Sequence, residues 1–128
     1  MKISKIGEHY LIELLACAPE KLERCETVRP LLLEAARKGN ATIISDEFHQ
    51  FNPYGVTGII LLAESHISIH TWPEHRLAAV DIFTCGDSMN ADVVIEVLRN
   101  GTSAGEVQIR HIERTKRLPN YEHKIYDK

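Results

Sequence analysis

The chain has 128 residues, 44% hydrophobic, 26% charged and 6% aromatic, the length and balance of one globular domain. A net charge of −3 without a long basic run excludes the footprint of a nucleic-acid partner, and the short basic stretch from Arg110 to Arg117 reads as a solvated tail. No apolar run approaches the roughly 18 residues that span a bilayer, and Met1-Lys2 lead into a folded-looking pattern with no signal-peptide core. A cytoplasmic protein of a single domain, residues 1–128, with no membrane contact is therefore expected.

Ile6 to Ala16 is apolar and β-capable and predicts a first strand. Leu22, Cys25, Val28, Leu32, Ala35 and Ala36 recur at helical spacing, with Gly39-Asn40 as the stop. Pro30 either kinks this helix or sits in the first turn of a shorter one. Ala41 to Ser45 opens a second strand that can run to Phe51, and Asn52-Pro53-Tyr54-Gly55 is turn chemistry. Val56 to Ala63 reads as a buried strand. Ser65 to Trp72 alternates His66, Ser68 and His70 with Ile67, Ile69 and Thr71, a strand with one polar and one mainly apolar face.

Pro73 to Arg76 turns the chain, and Leu77 to Thr84 forms a further strand. Asn90 caps a helix with Ala91, Val94, Ile95 and Leu98 on its apolar face. Gly101 ends it, Gly105 to Ile112 is the last strand, and Glu113 onward is a polar tail. Consecutive strands joined by short turns favour antiparallel pairing. The expected fold class is α+β, a two-layer α/β sandwich with a mainly antiparallel sheet and two helices on one face. The uncovered face or edge is expected to meet a partner subunit.

The three cysteines, Cys17, Cys25 and Cys85, have neither disulfide-framework nor zinc-ribbon spacing. Reactive side chains concentrate between Thr57 and Cys85, and three chemistries fit them. His66 and His70, with His49, could ligate a metal, although a β-like segment sets the pair about 13 Å apart. Cys85 and His70 could form a nucleophile–base pair. Third, the Ser65 hydroxyl could attack the carbonyl of Glu64 and turn the amide into an ester. With His70 as base and Thr57 assisting, β-elimination would then break the chain and leave a ketone at the new N-terminus.

Three long contiguous motifs bear on this choice. Ala63-Glu64-Ser65-His66-Ile67-Ser68-Ile69-His70-Thr71-Trp72-Pro73-Glu74, with Phe48 to Gly58 before it and Asp81 to Gly86 after it, resembles the signature of the short prokaryotic S-adenosylmethionine decarboxylases. Gly7-x-His9 also fits that pyruvoyl-dependent proenzyme family, and the likeness covers roughly residues 5 to 88.

The resemblance implies cleavage between Glu64 and Ser65, giving a β chain of 1–64 and an α chain of 65–128. Ser65 becomes the pyruvoyl group, which forms a Schiff base with S-adenosylmethionine and draws off electrons as CO2 leaves. The product would feed polyamine (spermidine) synthesis. In the resemblance His70 is the processing base, Thr57 the processing hydroxyl and Cys85 the proton donor in turnover. Phe51 stacks on the adenine and Glu74 holds the ribose. Read alone, Phe51 is a core phenylalanine and Glu74 an acidic turn residue. The resemblance also implies a homodimer with active sites at its interface, and no metal.

The family pattern after Trp-Pro-Glu is x-Gly-Tyr, whereas this chain has His75-Arg76-Leu77. Arg76 either points to solvent or pairs with Glu74 and reshapes the pocket. The second outcome would favour an arginine or ornithine decarboxylase with the same self-processing apparatus. An unprocessed, non-catalytic homologue is the remaining alternative.

Overall fold

The computed structural model describes residues 6–86, 88–115 and 124. In chain order it forms β1 (Gly7–Leu15), α1 (Cys25–Lys38), β2 (Ile43–Gln50), β3 (Val56–Leu62), β4 (Ser65–Trp72), β5 (Leu77–Thr84), α2 (Ala91–Thr102) and β6 (Glu106–Arg114). The six strands make one antiparallel sheet in the order β2-β3-β4-β5-β1-β6. Both helices lie on one face, the two-layer sandwich expected from the sequence.

The period-two alternation decides which side chains meet the helices. Along β5 every second residue is buried, from Ala78 to Thr84, and along β4 the buried set is Ile67, Ile69 and Thr71. These pack with Ile12 and Leu14 of β1 against Val28 and Leu32 of α1 and Val94 and Leu98 of α2. Each large aliphatic side chain so buried contributes about 1.5–3 kcal/mol. Among the described residues the opposite face of the sheet carries no helix, and it exposes large apolar groups, including Ile59 and Leu61. Among the described residues no helix is long and apolar enough to cross a membrane.

Several expected boundaries moved. Leu22 is fully buried but precedes α1, as the cap of a short 3-10 turn over Pro19–Lys21. Pro30 lies inside α1 and is exposed, so the carbonyl it leaves without an amide partner can take a hydrogen bond from water. Asn90 caps α2 as expected, its side chain accepting from the Val93 amide at 3.2 Å. Gly101 does not end that helix: it sits inside α2, where a Cβ would come within 2.2 Å of Leu31, so glycine serves close helix packing there. Glu113 and Arg114 are not tail but the end of β6, held by pairing with Glu8 and Gly7. The expected tail beyond Thr115 lies outside the described residues, apart from Lys124.

A similar close approach fixes Gly58, where a Cβ would lie 2.1 Å from the Phe48 ring. Gly58→Ala is expected to displace that ring and destabilise the fold by about 1–3 kcal/mol. A lowered thermal midpoint would show it; an unchanged midpoint would mean that β2 yields freely.

Candidate active site

β3 and β4 form a hairpin whose last pair is Leu62 with Ser65, so Ala63-Glu64 is its two-residue turn. The turn is tied down through Glu64. Its carboxylate accepts from the Thr42 amide at 3.0 Å, the Thr42 hydroxyl at 3.1 Å and the Ser88 hydroxyl at 3.4 Å. The Thr42 amide, foremost among these donors, holds the carboxyl below the usual carboxylate range. That anchoring is present above the ordinary carboxylate pKa and is lost as the pH falls through the lowered one.

The backbone carbonyl of Glu64 accepts two further hydrogen bonds, from the Cys85 amide and from the Cys85 thiol, each at 3.0 Å. Two donors on one carbonyl oxygen polarise its carbon and would stabilise charge developing there. On the other side of the bond, Ser65 has φ 151°, a region that side chains other than glycine avoid at a cost of about 1–3 kcal/mol. Thr84, paired across from Ser65, has the one buried side-chain polar atom among the described residues without a hydrogen-bond partner, which costs about a further 1–3 kcal/mol. Strain and unmet polarity thus concentrate at the Glu64–Ser65 bond.

A second group gathers at the far end of the same hairpin. Thr57 and His70 are cross-strand partners, with Thr57 Oγ1 3.1 Å from His70 Nδ1. They line a cavity of about 280 Å³ with Phe51, Trp72 and Glu74. Phe51 is 47% exposed, so it is not a core phenylalanine. Glu74 stands in a 3-10 turn, Pro73–His75, at the rim. Exposed aromatic faces beside a carboxylate suit a flat, hydroxyl-bearing ligand.

The two groups do not meet within one chain. At roughly 3.3 Å per residue, Ser65 and His70 are about 16 Å apart along β4. Cys85 stays with Ser65, whereas His70 pairs with Ala79, so the cysteine–histidine nucleophile pair does not form within a chain.

The metal reading of His49, His66 and His70 fails on the same geometry. His66 turns instead to Asp81, at 3.2 Å, and shares it with His9, also at 3.2 Å. The ligand atoms of these three lie within 4.8 Å of one another, a spacing that could hold a cation. Sequence reasoning assigned no role to His9 or Asp81. The available signal was a lone carboxylate at an otherwise apolar strand, Leu77 to Thr84.

Arg76 is exposed, as the first expected course has it. It adopts the left-handed conformation, φ 53°, which explains why glycine suits this place in the family pattern. Its Nε donates to the Cys17 carbonyl at 2.7 Å, away from Glu74. Arg76→Ala is expected to leave the preference among candidate substrates unchanged, as competition assays would show; a switch would mean that the guanidinium shapes the pocket.

Comparison with known proteins shows the family. The family model described as S-adenosylmethionine decarboxylase matches residues 8–115. The S-adenosylmethionine decarboxylase proenzyme of Thermodesulfovibrio yellowstonii is 50% identical over 93 residues, 73% of this chain and 69% of that protein. The proenzyme of the same name from Hydrogenobaculum is 46% identical over 109 residues, 85% of this chain and 81% of that protein. The crystal structure of the adenosylmethionine decarboxylase from Aquifex aeolicus superposes with a TM-score of 0.82 at 38% identity, covering 95% of this chain and 100% of that one. With a matching signature, fold and family model over most of its length, the chain belongs to the S-adenosylmethionine decarboxylase family.

Proposed function

We propose that this chain cleaves itself between Glu64 and Ser65 and that the resulting pyruvoyl group, at the head of the 65–128 chain, decarboxylates S-adenosylmethionine. The observation that carries this reading is the Glu64–Ser65 junction: a hydroxyl next to a carbonyl held by two donors, across a strained backbone. These features fit the precursor of a pyruvoyl group. The bond lies in a hairpin turn, so cutting it removes no strand and leaves β3 and β4 paired.

Attack of Ser65 Oγ on the Glu64 carbonyl exchanges the amide for an ester. Loss of the Ser65 α-proton to a base then expels the Glu64 carboxylate, and water replaces the nitrogen, which leaves as ammonia. The ketone so made supplies an electron sink for the pair released with CO2. The remaining duties fall on side chains. Cys85, at the same junction, delivers a proton to carbon, since a positioned thiol can act as a general acid. Phe51 and Trp72 flank the adenine, and Glu74 accepts hydrogen bonds from the ribose hydroxyls.

His70 and Thr57 act on Ser65 in processing, yet lie far from it in their own chain. A homodimer resolves this. If two open sheet faces pack against each other about a two-fold axis, Ser65 and Cys85 of one protomer can meet Thr57, His70, Phe51 and Glu74 of the other. The half-exposed Ile59, Leu61 and Trp72 on that face support such burial, which an isolated sheet face lacks.

The test is threefold: intact mass after maturation, carbonyl titration with a hydrazine reagent, and CO2 release from S-adenosylmethionine against arginine and ornithine. Two chains, one carbonyl per 65–128 chain and release from the nucleoside alone are expected. One whole chain without a carbonyl would refute the reading. Cys85→Ala keeps the amide donor to Glu64 and is expected to process, but to lose about 10²–10⁴-fold in turnover. Normal turnover by that variant would move the proton donor elsewhere.

A further inference from the structure

On the open sheet face a chain of side chains runs away from the scissile serine. Ser65 Oγ lies 3.4 Å from His66 Nδ1, and His66 Nε2 lies 3.2 Å from Asp81 Oδ1. The Ser68 hydroxyl donates to the same Asp81 oxygen at 3.0 Å, and His9 Nε2 lies 3.2 Å from the other. An ionised carboxylate only accepts, so all three neighbours turn hydrogens toward it. His66 therefore carries its proton on Nε2, and the lone pair on Nδ1 faces the Ser65 hydroxyl.

His9 is held in the matching sense. Its ring stacks on Phe83 with centroids 5.3 Å apart, and its Nδ1 lies 3.5 Å from Arg114, a group that can only donate. That leaves Nε2–H for Asp81. The imidazole beside the reacting hydroxyl is thus fixed in orientation and tautomer by a carboxylate that is fixed in turn.

We infer that His66 is the base that takes the Ser65 hydroxyl proton in the first step of self-cleavage, with Asp81 as its positioning residue. The inference rests on the pyruvoyl-proenzyme reading and divides the labour within it. His70, at the far end of β4, is kept for the later removal of the α-proton. As the Ser65 proton passes to His66 Nδ1, the bond from Oγ to the Glu64 carbonyl carbon forms. The negative charge falls on the oxygen that faces the Cys85 amide and thiol, each at 3.0 Å. Collapse breaks the carbon–nitrogen bond of Glu64–Ser65, and His66 returns the proton to the departing Ser65 nitrogen. The ester forms with no net change in protons and with groups of one chain only. The elimination draws on the partner protomer.

The test isolates the ester in a His70→Ala background, where elimination is blocked. Hydroxylamine cleaves an ester at 64/65 and leaves a whole amide chain intact, and the products are read by intact mass. His70→Ala alone is expected to be hydroxylamine-labile. The double variant His66→Gln/His70→Ala is expected to form the labile species at least about 10²-fold more slowly. In otherwise unchanged protein, His66→Ala is expected to cleave slowly and to be rescued by added imidazole, which a purely structural defect would not be. Asp81→Asn, whose amide can donate to Nε2 and so place the proton on Nδ1, is expected to slow cleavage without shifting the thermal midpoint.

Equal rates of ester formation in the single and double variants would overturn the assignment. So would a His70→Ala chain with no labile ester, which would place His70 in the first step. Neither result touches the pyruvoyl reading, which falls only if the unaltered chain stays whole and carries no carbonyl.

Discussion

A Ser65→Ala chain is expected to remain whole at 14.5 kDa and to release no CO2 from S-adenosylmethionine. The loss would be complete because the proposed function makes Ser65 both the nucleophile that cuts the chain and the source of the atoms from which the ketone is built. No neighbouring hydroxyl can stand in. Ser68 is committed to Asp81, and Thr84 points into the buried layer. Alanine keeps the Cβ and the backbone of a half-buried position at the start of β4, so stability is expected to change by no more than about 0.5 kcal/mol. Intact mass, activity and thermal midpoint together check this. A Ser65→Ala protein that still decarboxylates would remove the chemical basis of the proposal.

Mixing two dead chains gives the second large effect. Neither Ser65→Ala nor His70→Ala is expected to mature alone. Coexpressed, they pair at random, and a mixed dimer holds one site with Ser65 from one chain and His70 from the other. The His70→Ala chain should then be cut in about half of its copies, those found in mixed dimers, while the Ser65→Ala chain is never cut. The distance along β4, about 16 Å at roughly 3.3 Å per residue, dictates this outcome. Tagged chains separated by mass would report it. No cleavage in the mixture would mean that the two residues do not meet across protomers.

The strands at the centre of the sheet were legible because each has one buried face. β4 and β5 run over Ser65–Trp72 and Leu77–Thr84, the limits their alternation and turn residues predict. The edge strand was less legible. β6 has no fully buried position, so its end looked like tail, and only pairing with β1 shows that Arg114 belongs to it. Gly101 misled for a related reason. A glycine ends a helix when it supplies a left-handed residue, but here it makes room for Leu31, a contact between helices far apart in sequence.

The sequence alone determined the elements and the inventory of reactive groups, because hydrophobic period, turn residues and contiguous motifs are local properties of the chain. It also determined which bond the proposed cleavage would break, since Ser65 adjoins Glu64 whatever the fold. Only the tertiary structure decided which of those groups meet. The register of β4 on β5 brings His66 and Ser68 to Asp81, and the crossing of β1 adds His9. The rigid rise of β4 keeps His70 away from Ser65. Such pairings depend on strand order and register, which are fixed by burial across the whole sheet rather than by any one segment.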